Sequence, residues 1–529
     1  MKIRRKRALG LHEPLRHPDH PRPVTRRQFL AQGFITGGIT LAGASVFSLF
    51  ANPRSAYAAL APDIAALKTS PCNIVPGAGK IPFIAFDLAG GGNIAGSNVL
   101  VGGQGGQLDF LSTAGYNLLG LPGSMTPNSS VGPGSFVDRQ LGLAFHTDSA
   151  HLRGITTRAA VTTRANINGA VIPAISQNDT GTNPHNPMYG IASAGALGDL
   201  LGLIGTQSTQ SGGNSMAPSY MINPTEQPTK VNQASDVTGL VNTGQLVGLL
   251  SQADATAVLE SMERISAKKL GNVTMLSDAS ADAVVKDLVQ CGYVKAADLA
   301  DRYGNAVQAL DPGLDPLIVG PSGIFTQAEY SSNSDIQATA AVMKMVVNGY
   351  AGAGTIEMGG FDYHTGDRAT GETRDFAVGN LIGACLEYAA RRHMPLMVYV
   401  FSDGSLSSNG MIDNSAAGRG KGVWTGDNGS VAAAYFLVYS PTGPITAISN
   451  QIGYFTPTGN VVSTSSPAAN AVNLLAETVV LNYMALHGQA GAFQTMKWAS
   501  GVSTGLGSSS SYGSLIALPQ IVSGPVAPS

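Results

Sequence analysis

The chain has 529 residues, 43% of them apolar and only 12% charged, with 66 glycines. That composition can bury a large core and excludes a charge-rich disordered chain, while three cysteines exclude a dense disulfide scaffold because they allow at most one internal bridge. The formal charge of -2 hides an asymmetry, since the first 58 residues carry ten of the 31 Lys and Arg but only two of the 33 Asp and Glu. The remaining acidic body has no basic stripe interleaved with aromatics, so no nucleic-acid partner is expected.

The leader reads Thr25-Arg26-Arg27-Gln28-Phe29-Leu30, a weakly apolar Gly-rich run over 33–50, and then Ala56-Tyr57-Ala58. A basic segment, an apolar segment and a small-x-small site make a cleavable export signal over 1–58, and the paired arginines resemble the twin-arginine signal of bacteria. The run over 34–50 holds three glycines and several hydroxyls, which makes it short and polar for a stable membrane span. The expectation is a periplasmic or secreted protein whose partner on the way is the twin-arginine export machinery. That route carries folded proteins, so Cys72, Cys291 and Cys385 are expected as buried thiols; Cys385 sits in an amphipathic helical pattern with Leu381, Ile382 and Leu386.

In the mature chain the first strong element is an apolar strand over 81–86, ending at Asp87 and breaking into Gly90-Gly91-Gly92-Asn93. The first part of an α/β domain is expected over 59–234, with a flexible Ser/Gly-rich loop at 205–217. A helical insertion or cap follows over 235–330, its helices at 253–270 and 295–310. The second part of the α/β domain spans 331–490. There a helix over 335–350 leads to a strand over 354–358, which ends in Gly359-Gly360-Phe361-Asp362-Tyr363-His364. A helix over 372–392 leads to a strand over 396–401, ending in Ser402-Asp403-Gly404; a fourth strand over 433–439 follows Gly426-Asp427-Asn428-Gly429. Residues 491–529 read as a flexible tail. This alternation predicts an α/β fold, a mostly parallel sheet with helices on both faces.

No G-x-S-x-G elbow, H-E-x-x-H, C-x-x-C or P-loop is present, and the Gly90–Gly96 turn has the wrong spacing for a dinucleotide loop, so no nucleotide cofactor is expected. What remains is oxygen and nitrogen ligands at strand ends. Asp87, Asp362, His364, Asp403 and Asp427 would meet at one sheet edge if their strands are parallel, the arrangement a divalent cation needs. Acids and glycines are also ordinary turn residues, so each alone says little. Asp-x-His after Gly-Gly is the unusual part, in a mature chain with six histidines. A polar stretch over 176–187 adds Asp179 and His185 as further candidates, whereas His487 reads as a packed core histidine.

The Gly-Gly-Phe-Asp-Tyr-His motif, the long helix and apolar strand after it, Phe401-Ser402-Asp403-Gly404 and Thr425-Gly426-Asp427-Asn428-Gly429 together resemble an uncharacterised twin-arginine-exported branch of the alkaline phosphatase and sulfatase superfamily. The likeness covers about 80–200 and 350–490. It implies a metal-dependent hydrolase of phosphate or sulfate esters, in which cations held at strand ends activate a Ser or Thr nucleophile. Asp362 and His364 match the branch's ligand motif and Asp87 matches its first-strand aspartate loosely. Asp403 falls where the branch has Ser-Glu-Phe-Gly-Arg, with Ser405 in the neighbourhood of that arginine, and Asn428 replaces the histidine of Thr-Asp-His-Gly. Loss of the arginine removes a cationic fork for the substrate. Loss of the histidine leaves an oxygen-rich set that, among zinc, manganese, calcium and magnesium, shifts the expectation from zinc toward calcium or magnesium, or toward no metal at all. Ser97, Thr147 and Ser149 are the candidate nucleophiles. The alternative is a non-catalytic relative that binds a surface partner or polysaccharide.

Overall fold

The computed structural model describes residues 60–527 except 75–76, 78, 131, 133, 177–180, 241–250, 275, 277 and 304–308, so the leader and Asp179 lie outside the described residues. The chain divides into two compact units, one within Met1–Ile74 and Thr243–Gly304, the other Val75–Asn242 with Asn305–Ser529. The strands are β1 (Phe83–Leu88), β2 (Val137–Leu141), β3 (Leu143–His146), β4 (Ile167–Pro173), β5 (Leu201–Gly205), β6 (Thr229–Lys230), β7 (Ala351–Met358), β8 (Leu396–Ser402), β9 (Leu406–Asp413), β10 (Lys421–Asp427) and β11 (Ala433–Tyr439). The principal helices are α1 (Pro62–Thr69), α2 (Ala150–Arg158), α3 (Met188–Ser193), α4 (Gln252–Gly271), α5 (Ala279–Tyr303), α6 (Ser334–Val347), α7 (Ala369–Arg391) and α8 (Val472–Leu486).

The larger unit is built on a seven-stranded sheet in the order β4-β11-β8-β1-β7-β5-β6. The run from β8 to β6 is parallel, and β11 and β4 close one side antiparallel. Every residue of β1 and β8 is buried, as expected of strands covered on both faces. Consecutive residues of β7 show the two covers. Gly354 faces Val342 and Val346 of α6, whereas the Thr355 hydroxyl faces Met188 of α3 and accepts from Asn186 Nδ2 at 2.9 Å. The α/β architecture, mostly parallel with helices on both faces, is therefore observed. The fourth expected strand, β11, runs antiparallel to β8. Its beginning, rather than its end, thus lies at the edge where β1, β7 and β8 finish, and the Asp427 side of that segment still reaches the same edge.

The smaller unit packs Ala61 and Ile64 of the α1 region against Val294 and Ala297 of α5. Cys72 and Cys291 form a disulfide there, with an S–S distance of 2.06 Å. This corrects the expectation of three buried thiols: only Cys385 is free and buried. Sequence separation hid the pair, because the two cysteines stand 219 positions apart. Two expected flexible stretches are also packed. Within 205–217, Ser211 and Ser215 are buried; in the C-terminal stretch, Phe493, Trp498, Tyr512, Leu515 and Leu518 are buried. Among the described residues no helix is long and apolar enough to cross a membrane.

Candidate metal centre

The glycine turn after β1 is laced to the end of β8. Ser402 Oγ donates to Leu88 O at 2.6 Å and accepts from Gly92 N at 2.7 Å, while Gly90 N donates to Asp403 Oδ1 at 2.9 Å. Gly90 has φ +117°, and a Cβ built on it would sit 2.8 Å from Asp362 N. Only glycine allows the β1 turn to pass between Asp403 and Asp362 this closely.

The loop after β7 alternates buried anchors with outward ligands. Phe361 and Tyr363 are buried, and Phe361 N donates to Ala89 O at 3.1 Å. Tyr363 Oη donates to Asp375 Oδ1 at 3.0 Å. Asp362 and His364 consequently face outward, with side-chain exposures of 62% and 31%. Gly366 N donates to Trp424 O at 2.9 Å and Asp367 pairs with Trp424, which ties the loop along β10 and brings Asp427 alongside. His364 Nδ1 lies 2.5 Å from Asp362 Oδ1 and 3.2 Å from Asp427 Oδ1, aligned for a hydrogen bond with neither. One donor atom from each of the three residues lies within 4.8 Å of the others. One imidazole and two carboxylates fit a borderline or hard divalent cation such as zinc, manganese, magnesium or calcium, with further positions left to water or substrate.

The other expected ligands form a deeper layer. Asp87 and Asp403 are buried, and their oxygens are engaged by protein donors: Asp87 by Ser215 N at 2.7 Å and Ser215 Oγ at 2.9 Å, Asp403 by Gly90 N and by Asn214 Nδ2 at 2.8 Å. Burial, reinforced by the charges of Asp403 and Glu357, pushes Asp87 up to about 7 against the hydrogen bonds from Ser215. Glu357, the cross-strand neighbour of Asp87, is pushed up by burial and by Asp403. The structure thus brings Asp362, His364 and Asp427 into one outer group and sets Asp87 with Asp403 beneath it, beside Glu357, which the sequence alone places only within a strand.

His185 is buried in the same deeper layer, its ring stacked on Phe401 with centroids 6.0 Å apart. Neither ring nitrogen has a hydrogen-bond partner among the described residues, and burial pulls its pKa down to about 3, so it is a neutral imidazole. The Asn428 carboxamide oxygen accepts from Ser430 N at 3.1 Å and Ser430 Oγ at 2.6 Å, a turn-capping role. Of the nucleophile candidates, Ser97 is buried and donates to Asn93 Oδ1 at 3.1 Å. Ser149 caps α2 through Leu152 N and donates to Asn98 Oδ1 at 3.1 Å, and Thr147 is exposed on the turn before α2. His487 is a structural histidine, accepting from Ile81 N at 3.0 Å and facing Tyr483 O at 2.9 Å. Compared with protein-family models, curated proteins and solved structures, the chain matches none.

Proposed function

We propose that the protein is an exported, metal-dependent ester hydrolase of the alkaline phosphatase and sulfatase type, holding a divalent cation on Asp362, His364 and Asp427 and acting on a phosphate or sulfate ester. The observation that carries this reading is the convergence of those three side chains, exposed or half-exposed, at the edge where β1, β7 and β8 end. Ligand sites in open α/β sheets lie beyond such strand ends. A bound divalent cation supplies Lewis acidity toward an ester oxygen and acidifies water. The chain's own part is to fix the donors, through the buried Phe361 and Tyr363 anchors and the pairing of the loop with β10. The twin-arginine-like leader supports export.

A second reading is favoured by the hydroxyls. Ser97 and Ser149 are sealed and hydrogen-bonded inside the protein, which suits a non-catalytic relative that binds a surface partner or polysaccharide on the same fold, any ion serving stability. The deciding experiment is metal analysis of the protein purified from the exported fraction, wild type beside the double variant Asp362→Ala, His364→Ala, followed by assay of phosphate and sulfate monoesters. Near-stoichiometric metal and ester turnover, both lost in a folded double variant, are expected. Metal without turnover of either ester leaves the binding protein, as does no metal with unchanged folding in the variant, which sinks the hydrolase.

A further inference from the structure

Arg374 stands in the second turn of α7, exposed, with no ion-pair or hydrogen-bond partner among the described residues. The cations carried by neighbouring segments are all committed: Arg153, Arg368 and Lys421 to Glu372, and Arg419 to Asp148. The Arg374 guanidinium instead rests against the backbone of Gly360, where a Cβ would lie 3.0 Å from its Cζ and Nη2. Gly360 has φ +84° and precedes Asp362 by two residues. Any side chain at 360 would be strained and would displace the guanidinium. A bare backbone step therefore seats an uncommitted planar cation directly beside the loop that presents Asp362 and His364.

A guanidinium presents parallel N–H donors that match two oxygens of a tetrahedral oxyanion. Ser405, in the neighbourhood of the resembled branch's arginine, is buried and uncharged and cannot offer this. We infer that Arg374 is the anion-binding residue of this site, gripping the phosphoryl or sulfuryl oxygens of a substrate that shares the cation at Asp362, His364 and Asp427. The inference rests on the metal reading above. It supplies, from helix α7, the positive fork missing after Asp403.

The test is titration calorimetry on the full mature chain in two stages, first with manganese alone, then with inorganic phosphate or inorganic sulfate added to the manganese-loaded protein. The variants are Arg374→Gln and Arg374→Lys. Arg374→Gln is expected to bind manganese within about twofold of wild type and to bind phosphate or sulfate at least about tenfold more weakly, with Arg374→Lys in between. Whichever of the two anions binds wild type more tightly names the ester class. Equal oxyanion affinity in wild type and Arg374→Gln, or no oxyanion binding by manganese-loaded wild type, overturns the inference and leaves the metal reading standing. Loss of manganese binding in Arg374→Gln also overturns it, by giving the arginine a structural role. No manganese binding by wild type brings down the metal reading itself, and this inference with it.

Discussion

At the scale of single residues, His185 is a costly side chain near the site. A neutral imidazole carries one N–H donor and one lone pair, neither with a partner among the described residues, and burying each unpartnered costs about 1–3 kcal/mol. The stacking on Phe401 returns only part of that. His185→Leu keeps the volume and removes both orphan groups, so urea unfolding should show stability raised by about 1–2 kcal/mol. A clear loss instead would mean that the ring nitrogens hold a partner in solution. Gly360 gives the opposite sign: Gly360→Ala should destabilise by about 1 kcal/mol or more, through its left-handed φ and its contact with Arg374, read by the same unfolding curves.

At the scale of elements, the disulfide gives the sharpest expectation. It joins the segment after α1 to α5 across 219 residues, and closing so long a loop is worth about 2–5 kcal/mol by the chain-entropy argument. Cys72→Ala with Cys291→Ala, or reduction, should therefore speed hydrogen exchange in α1, α4 and α5, with the β1–β7–β8 core unchanged. The sequence offered no way to see this bridge, because spacing alone cannot pair distant cysteines. It did reveal β8 and β11, since unbroken apolar runs such as Leu396-Met397-Val398-Tyr399-Val400-Phe401 mark strands buried on both faces. It left unmarked β5, a short Leu-Gly-Leu-Ile-Gly run, and the antiparallel direction of β11, which no periodicity encodes. The outer ligands were legible because they flank strand ends next to glycines. Glu357 and Arg374 were not, one lying inside a strand and the other on a polar helix turn, where only the packing of separate segments shows their neighbours.

At the scale of the whole larger unit, pH dependence follows from two opposed sets of buried groups. Burial drives His146 and His487 down to about 4 and His151 and His185 down to about 3, so between those values and about 6.5 the unfolded chain binds protons that the folded one refuses. Stability from this set is complete above pH 6.5 and is lost as acid is added. Burial also raises Asp87 and Asp375 to about 7, so between about 4 and 7 the folded chain holds two protons that the unfolded one has released. That contribution is complete below pH 4 and disappears as pH rises through 7. Glu357 and Glu477, pushed up by burial as well, act in the same direction as the two aspartates. Four imidazoles against two strongly raised carboxyls leave the histidines ahead, so stability should fall from pH 6.5 toward 4.5, by at most about 2–3 kcal/mol per pH unit. Asp87→Asn tests the assignment, because the amide mimics the protonated acid toward Ser215 yet cannot titrate. Urea unfolding at pH 4.5, 5.5 and 6.5 should then show a steeper acid loss than wild type, by about 1.4 kcal/mol per pH unit. An unchanged slope would mean that Asp87 is ionised in the folded protein, as it would be with a cation bound beside it.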